Sequence, residues 1–154
     1  MRPPRISSGA RGVITWETGW LLLALAVRVA FALKLGGRQY QIDEGAPDLL
    51  AWSRLSATGH LLLPKPGLNL FYAFFYPLFG YERLFPRLGQ AVVGTLTAWM
   101  VGRMTAELSG SPRAGRLALA LAAVYPFFIY YSGLMMGETL YLAGLVPGLW
   151  WLCS

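Results

Sequence analysis

The chain is 154 residues long, 56% apolar, 14% aromatic and only 13% charged, too greasy for an ordinary soluble domain but enough for about four membrane spans of roughly 20 residues. A net charge of +6 suits an anionic membrane surface or phosphate ligands, whereas basic residues scattered between apolar runs argue against nucleic acid. Cys153 is the sole cysteine, which excludes an internal disulfide and a thiolate metal cluster.

Residues 1–15 read as a basic cytoplasmic tail carrying Arg2, Arg5 and Arg11. The first span is expected over 16–35, ended by Gly36-Gly37. Ala30-Phe31-Ala32 imitates a signal-peptidase site, but Arg28 interrupts the apolar run and its width favours a retained helix. Arg28 itself, inside hydrocarbon, needs a buried partner or a route to the headgroups.

A long connection, 36–83, follows. Within it Leu49, Trp52 and Leu55 form one stripe of a helix lying in the interface over 47–58, stopped by Gly59. Pro64-Lys65-Pro66 then forces an extended turn. The aromatic segment 68–79 is too short for a complete crossing and is expected to be re-entrant or interfacial.

A second span is expected over 84–108, with Gly89, Gly94 and Gly102 permitting close helix contact. Ser109-Gly110-Ser111-Pro112 makes a turn in which Ser111 caps a third span, 113–131, kinked at Pro126. Gly133 breaks that helix, and a fourth span runs over 135–153. Residues 16–153 thus read as one helical membrane domain, all-α, and the end of the chain just after the fourth crossing suggests the N-terminal portion of a longer protein. Basic residues divide evenly between the two sides: Arg2, Arg5, Arg11, Arg103, Arg113 and Arg116 against Lys34, Arg38, Arg54, Lys65, Arg83 and Arg87. The first set lies in short segments at helix ends, where the positive-inside rule acts, so a cytoplasmic N-terminus is expected.

Four antiparallel spans put the 36–83 loop and the hinge before Glu138 on one face of the membrane. Asp43, Glu44 and Glu138 could there deprotonate a nucleophile, position a divalent cation or bind a cation of an acceptor. Equally, Asp43 and Glu44 could cap a helix while Glu138 reaches the headgroups. Lys65, Arg83 and Arg87, with Arg38, are the complement of a phosphate or of lipid headgroups. Tyr125, Phe127, Phe128, Tyr130 and Tyr131 form an interface belt or a groove for an isoprenoid chain. His60 stands alone, which excludes a histidine-rich metal site, and no Walker loop, dinucleotide fingerprint, GxSxG elbow or HExxH helix is present.

The order of these features resembles the polytopic C-type glycosyltransferases of family 39, the group containing protein mannosyltransferases and bacterial lipid A aminoarabinose transferases. The resemblance rests on Asp43-Glu44 after the first span, Ala51 with Thr58-Gly59, Lys65-Pro66 before an aromatic helix, Arg87, Tyr125-Pro126-Phe127, Ser132-Gly133-Leu134 and Glu138. It covers roughly residues 16–152, the N-terminal half of such an enzyme. Pro47 and Gly67 depart from the tyrosine and second proline common in that group.

The resemblance implies transfer of a sugar from a polyprenyl-phosphate carrier to an acceptor on the extracytoplasmic face of a bacterial inner membrane. Asp43 would be the base or the contact of a divalent cation, Glu44 its support, Lys65, Arg87 and Arg83 the phosphate ligands, and Glu138 part of the acidic wall. Other expectations are a small non-catalytic membrane subunit whose charges line an ion or lipid pathway, and an inactive fragment.

Overall fold

A computed structural model describes residues 8–38 and 66–153. Those residues are all-helical, in six helices: α1 (Ser8–Leu35), α2 (Pro66–Phe79), α3 (Leu84–Ser109), α4 (Pro112–Val124), α5 (Pro126–Gly133) and α6 (Glu138–Cys153). The expected interfacial helix at 47–58 lies outside the described residues.

The α1 helix begins at Ser8, inside the segment read as a tail, and ends at Leu35. Gly36 terminates it at φ 57°, left-handed backbone that glycine alone adopts without strain. The α3 helix ends in the same way at Gly110, φ 63°, whose N–H bonds the Glu107 carbonyl. Ser111 then caps α4 through its hydroxyl, which accepts from the Ala114 N–H, with Pro112 in the first turn.

The α3 helix is the central element, in contact with every other helix. Its tightest neighbour is α4, because small residues meet there. A Cβ added to Gly102 would lie 2.9 Å from Leu119 Cβ, and one added to Gly115 would lie 2.6 Å from the Gly102 carbonyl oxygen. Backbones this close gain dispersion contact without any long side chain. Ala98, Leu119 and Ala122 form the buried centre of this contact, covered by Trp16, Trp20 and Phe128. On the other side of α3, Leu68, Tyr72 and Tyr76 of α2 bury against Met135.

The expected kink at Pro126 is a break: α4 and α5 meet at 50°. Proline has no N–H, so the carbonyl of Ala122 loses its helical partner there. The helix expected from Met135 starts instead at Glu138. After Gly133 ends α5, Leu134 is extended at φ −83°, ψ 147°, and Leu134 and Met135 are buried as a plug rather than wound into a helix. With 16 residues, α6 is about 24 Å long at ~1.5 Å per residue.

The segment Trp16–Leu35 is long and apolar enough to cross a membrane, and the bent α4–α5 pair also qualifies if it counts as one crossing. Burial does not follow a simple apolar-in, polar-out division among the described residues. Arg28, Asn69, Arg87, Gln90 and Ser132 are fully buried, while Leu22, Leu70, Phe74, Leu121, Phe127, Tyr141 and Trp151 lie exposed.

Candidate functional site

One face of α3 gathers the polar groups. Arg83, Arg87 and Gln90 are spaced i, i+4, i+7 and so project in a row. The row ties together three segments that are distant in sequence. Arg87, fully buried, donates through one terminal nitrogen to the Gly36 carbonyl and through the other to the Arg38 carbonyl at 2.7 Å. Arg83 reaches the Gly37 carbonyl at 3.5 Å and lies over the Tyr81 ring. Two arginines thus hold the exit of α1, where the carbonyls of the helix end carry partial negative charge. Glu82 joins them, with Oε2 3.6 Å from where a Cβ of Gly37 would stand.

One turn further along, Gln90 donates from Nε2 to the Met136 carbonyl at 2.9 Å and to the Tyr72 hydroxyl at 3.4 Å. It connects α2 to the turn that launches α6. Gln90 is 0% accessible, and its Oε1 has no hydrogen-bond partner among the described residues. Two residues beyond Met136 stands Glu138, in the first turn of α6, where a carboxylate complements the helix dipole. Its Oε2 is likewise buried and has no hydrogen-bond partner among the described residues.

The arrangement bears on each expected site residue differently. Arg83, Arg87 and Glu138 are gathered at one end of α3, together with the exit of α1. Asp43, Glu44 and Lys65 lie outside the described residues. For Arg87 the geometry adds a role: its fork is engaged by two backbone carbonyls, so it positions the chain that runs on toward Asp43. Gln90 was missed in the sequence. Its signal was an amide three residues after Arg87 on the same face of an otherwise apolar helix, where an unpaired polar group is expensive.

Arg28 has a buried partner and does not need to reach the headgroups. Its guanidinium donates to the carbonyls of Ala24 (3.1 Å), Ala123 (3.0 Å) and Ala122 (3.0 Å). The last two lie at the end of α4, beside the break that Pro126 creates. Gly94 makes room: a Cβ there would lie 3.2 Å from Arg28 Nε. Among the described residues no group of three His, Cys, Asp or Glu could hold a metal ion, and Asp43, the candidate metal contact, is outside them.

Among the cavities bordered by the described residues, three frame this geometry. An apolar hollow at the α4–α5 break is lined by Phe31, Val124, Pro126, Phe127, Ile129 and Tyr130. A smaller, charged recess at the other end of α3 includes Glu17, Arg103, Glu107 and Arg116. The third, between α2 and α6, contains Glu138. Comparison with protein-family models, with curated proteins and with solved structures found no match.

Proposed function

We propose that this chain is a multi-pass membrane protein with four crossings, and that it transfers a sugar from a polyprenyl-phosphate donor to an acceptor at the extracytoplasmic surface. The membrane part is supported by buried Arg28, Arg87 and Gln90 beneath an exposed shell of Leu, Phe and Trp, the distribution favoured when the solvent is hydrocarbon. The bent α4–α5 pair and the shorter α6 would complete the crossings together with α3.

The observation that carries the site is the row Arg83–Arg87–Gln90, which fastens the start of the Asp43 loop and the turn before Glu138 to one end of one helix. Paired acidic groups held by a rigid element are what acceptor activation requires. In the proposed reaction an acceptor hydroxyl attacks the anomeric carbon, its proton passes to the Asp43 carboxylate, and the bond to the carrier phosphate breaks. Polyprenyl phosphate leaves with that electron pair. Lys65 would neutralise charge developing on the phosphate, while Glu44 and Glu138 would orient the acceptor.

The test is transfer from a labelled polyprenyl-phosphate sugar by membranes containing the full protein. Asp43→Asn should abolish transfer while the chain still resists alkaline extraction. Turnover equal to the wild type would overturn the assignment, and release of the wild-type chain by alkali would overturn the membrane reading.

A further inference from the structure

The charged recess at the end of α3 remote from the proposed transfer site is built where α3 and α4 cross. Gly102 and Gly115 bring the two backbones together, and the short turn at Gly110-Ser111 makes the helices antiparallel. In an antiparallel pair the residues one place beyond the crossing point turn toward the same side. Arg103 and Arg116 hold those places, and both line the recess, with Glu107 one turn along α3 from Arg103 and Glu17 supplied by α1. The volume is about 280 Å³, below the ~300–1,000 Å³ usual for a whole small molecule and suited to a headgroup.

Four charges therefore share one small space, and none is sealed from a ligand: Arg103 and Glu107 are exposed, Arg116 and Glu17 half-buried. Among the described residues none of the four forms an ion pair; Arg116 lies over the Trp16 ring, and Glu107 accepts from the Trp150 indole. Trp99 lines the recess, and Trp20 packs beside Trp16. Indoles gathered at one end of a helix bundle mark the depth of lipid headgroups, where the apolar ring and its N–H are both accommodated. The positive-inside tendency explains arginines at that depth and gives no reason for carboxylates among them.

Two guanidiniums and two carboxylates sum to no net charge. A purely anionic head would meet both glutamates, and a cation would meet both arginines. A head with a phosphate and a primary ammonium gives each charge its complement: guanidinium forks suit phosphate oxygens, and carboxylates accept the ammonium N–H groups. We propose that this recess binds the phosphoethanolamine head of a bilayer phospholipid, with the phosphate on Arg103 and Arg116 and the ammonium between Glu17 and Glu107. The site rests on the membrane part of the proposed function and is independent of sugar transfer. Choline heads carry the charge without an N–H, and glycerol heads carry no cation, so both should bind less tightly.

The experiment places the full chain in phosphatidylcholine nanodiscs with a phosphatidylethanolamine carrying a diazirine close to its head, and maps the adducts by mass spectrometry. Adducts are expected on 99–107 and 112–119. Unlabelled phosphatidylethanolamine should suppress them about tenfold more effectively than phosphatidylglycerol, the effect of one charge-assisted hydrogen bond. Arg103→Gln, at an exposed position, should lower the yield by a similar factor. Glu17→Gln leaves the lining with a net positive charge and should make phosphatidylglycerol at least as good a competitor, an inversion that loss of the fold would not produce. Equal competition by the two lipids on the wild-type chain, adducts confined to other segments, or an unchanged preference in Glu17→Gln would overturn the proposal. Alkaline extraction of the wild-type chain keeps the two readings apart: a chain that is released overturns the membrane reading and the site with it, while one that stays embedded without these adducts overturns the site alone.

Discussion

Around Arg28 both terminal nitrogens find backbone carbonyls and only Nε is left without an acceptor; around Glu138 no described side chain or backbone donor reaches the buried carboxylate oxygen. The guanidinium of Arg28 meets three carbonyls, two of them beside the break at Pro126, and the hollow next to it is lined by apolar and aromatic side chains. At the α2–α3–α6 end, Gln90 and Glu138 each keep a buried acceptor oxygen without a partner among the described residues, and Glu138 borders the cleft between α2 and α6. A guanidinium bonded by carbonyls of two helices ties those helices together, whereas an amide or carboxylate with a buried oxygen left unpaired costs stability that the surrounding packing offsets.

The strongest way to break this contrast is Arg28→Leu. It leaves the Ala122 and Ala123 carbonyls with no donor in an apolar setting, and should destabilise the protein by about 3 kcal/mol or more. Thermal unfolding in detergent measures it, and an unchanged midpoint would show that the clamp is not structural. Gln90→Leu should cost about 1–2 kcal/mol through its bonds to Met136 and Tyr72. It should also accelerate maleimide labelling at Glu138→Cys, because the turn before α6 loses its tether. Labelling at the parental rate would remove Gln90 as a positioning residue.

A finer test asks whether Arg28 and Pro126 act as a pair. In Pro126→Ala the backbone regains an N–H for the Ala122 carbonyl, so Arg28→Leu should cost about 1 kcal/mol less in that background. Additive effects would separate the arginine from the break. The smallest effect is expected at Trp150→Phe, which removes an exposed bond from the indole to Glu107 and should change stability by less than about 0.5 kcal/mol. A large loss there would mean that the C-terminal end of α6 is fastened more firmly than its exposed surroundings imply.

Much of this was readable from residues alone where the physics is local. The end of α1 at Gly36, the cap at Ser111-Pro112 and the interruption at Pro126 each follow from one residue's own backbone chemistry. The start of α6 was not readable, because Met135 and Met136 suit a helix and only the burial of Met135 against α2 and the bond from Gln90 to the Met136 carbonyl hold them out of one. Arg83, Arg87 and Glu138 were picked out for their charge in an apolar chain. Gln90, neutral and embedded in a good helix sequence, carried no such mark.

The sequence by itself determined that the described residues are all-helical and where most of their helices stop, since glycine at positive φ and proline without an N–H act within a turn or two of themselves. Only the tertiary structure decided which partner each buried polar group would find. Arg28 bonds carbonyls 94 and 95 residues away, Arg87 one that is 49 residues away, and Gln90 one that is 46 residues away. No periodicity encodes such pairings. They arise because helices packed in an apolar setting must bring most buried donors to an acceptor, and the packing of α3 against its neighbours sets which acceptors lie within reach.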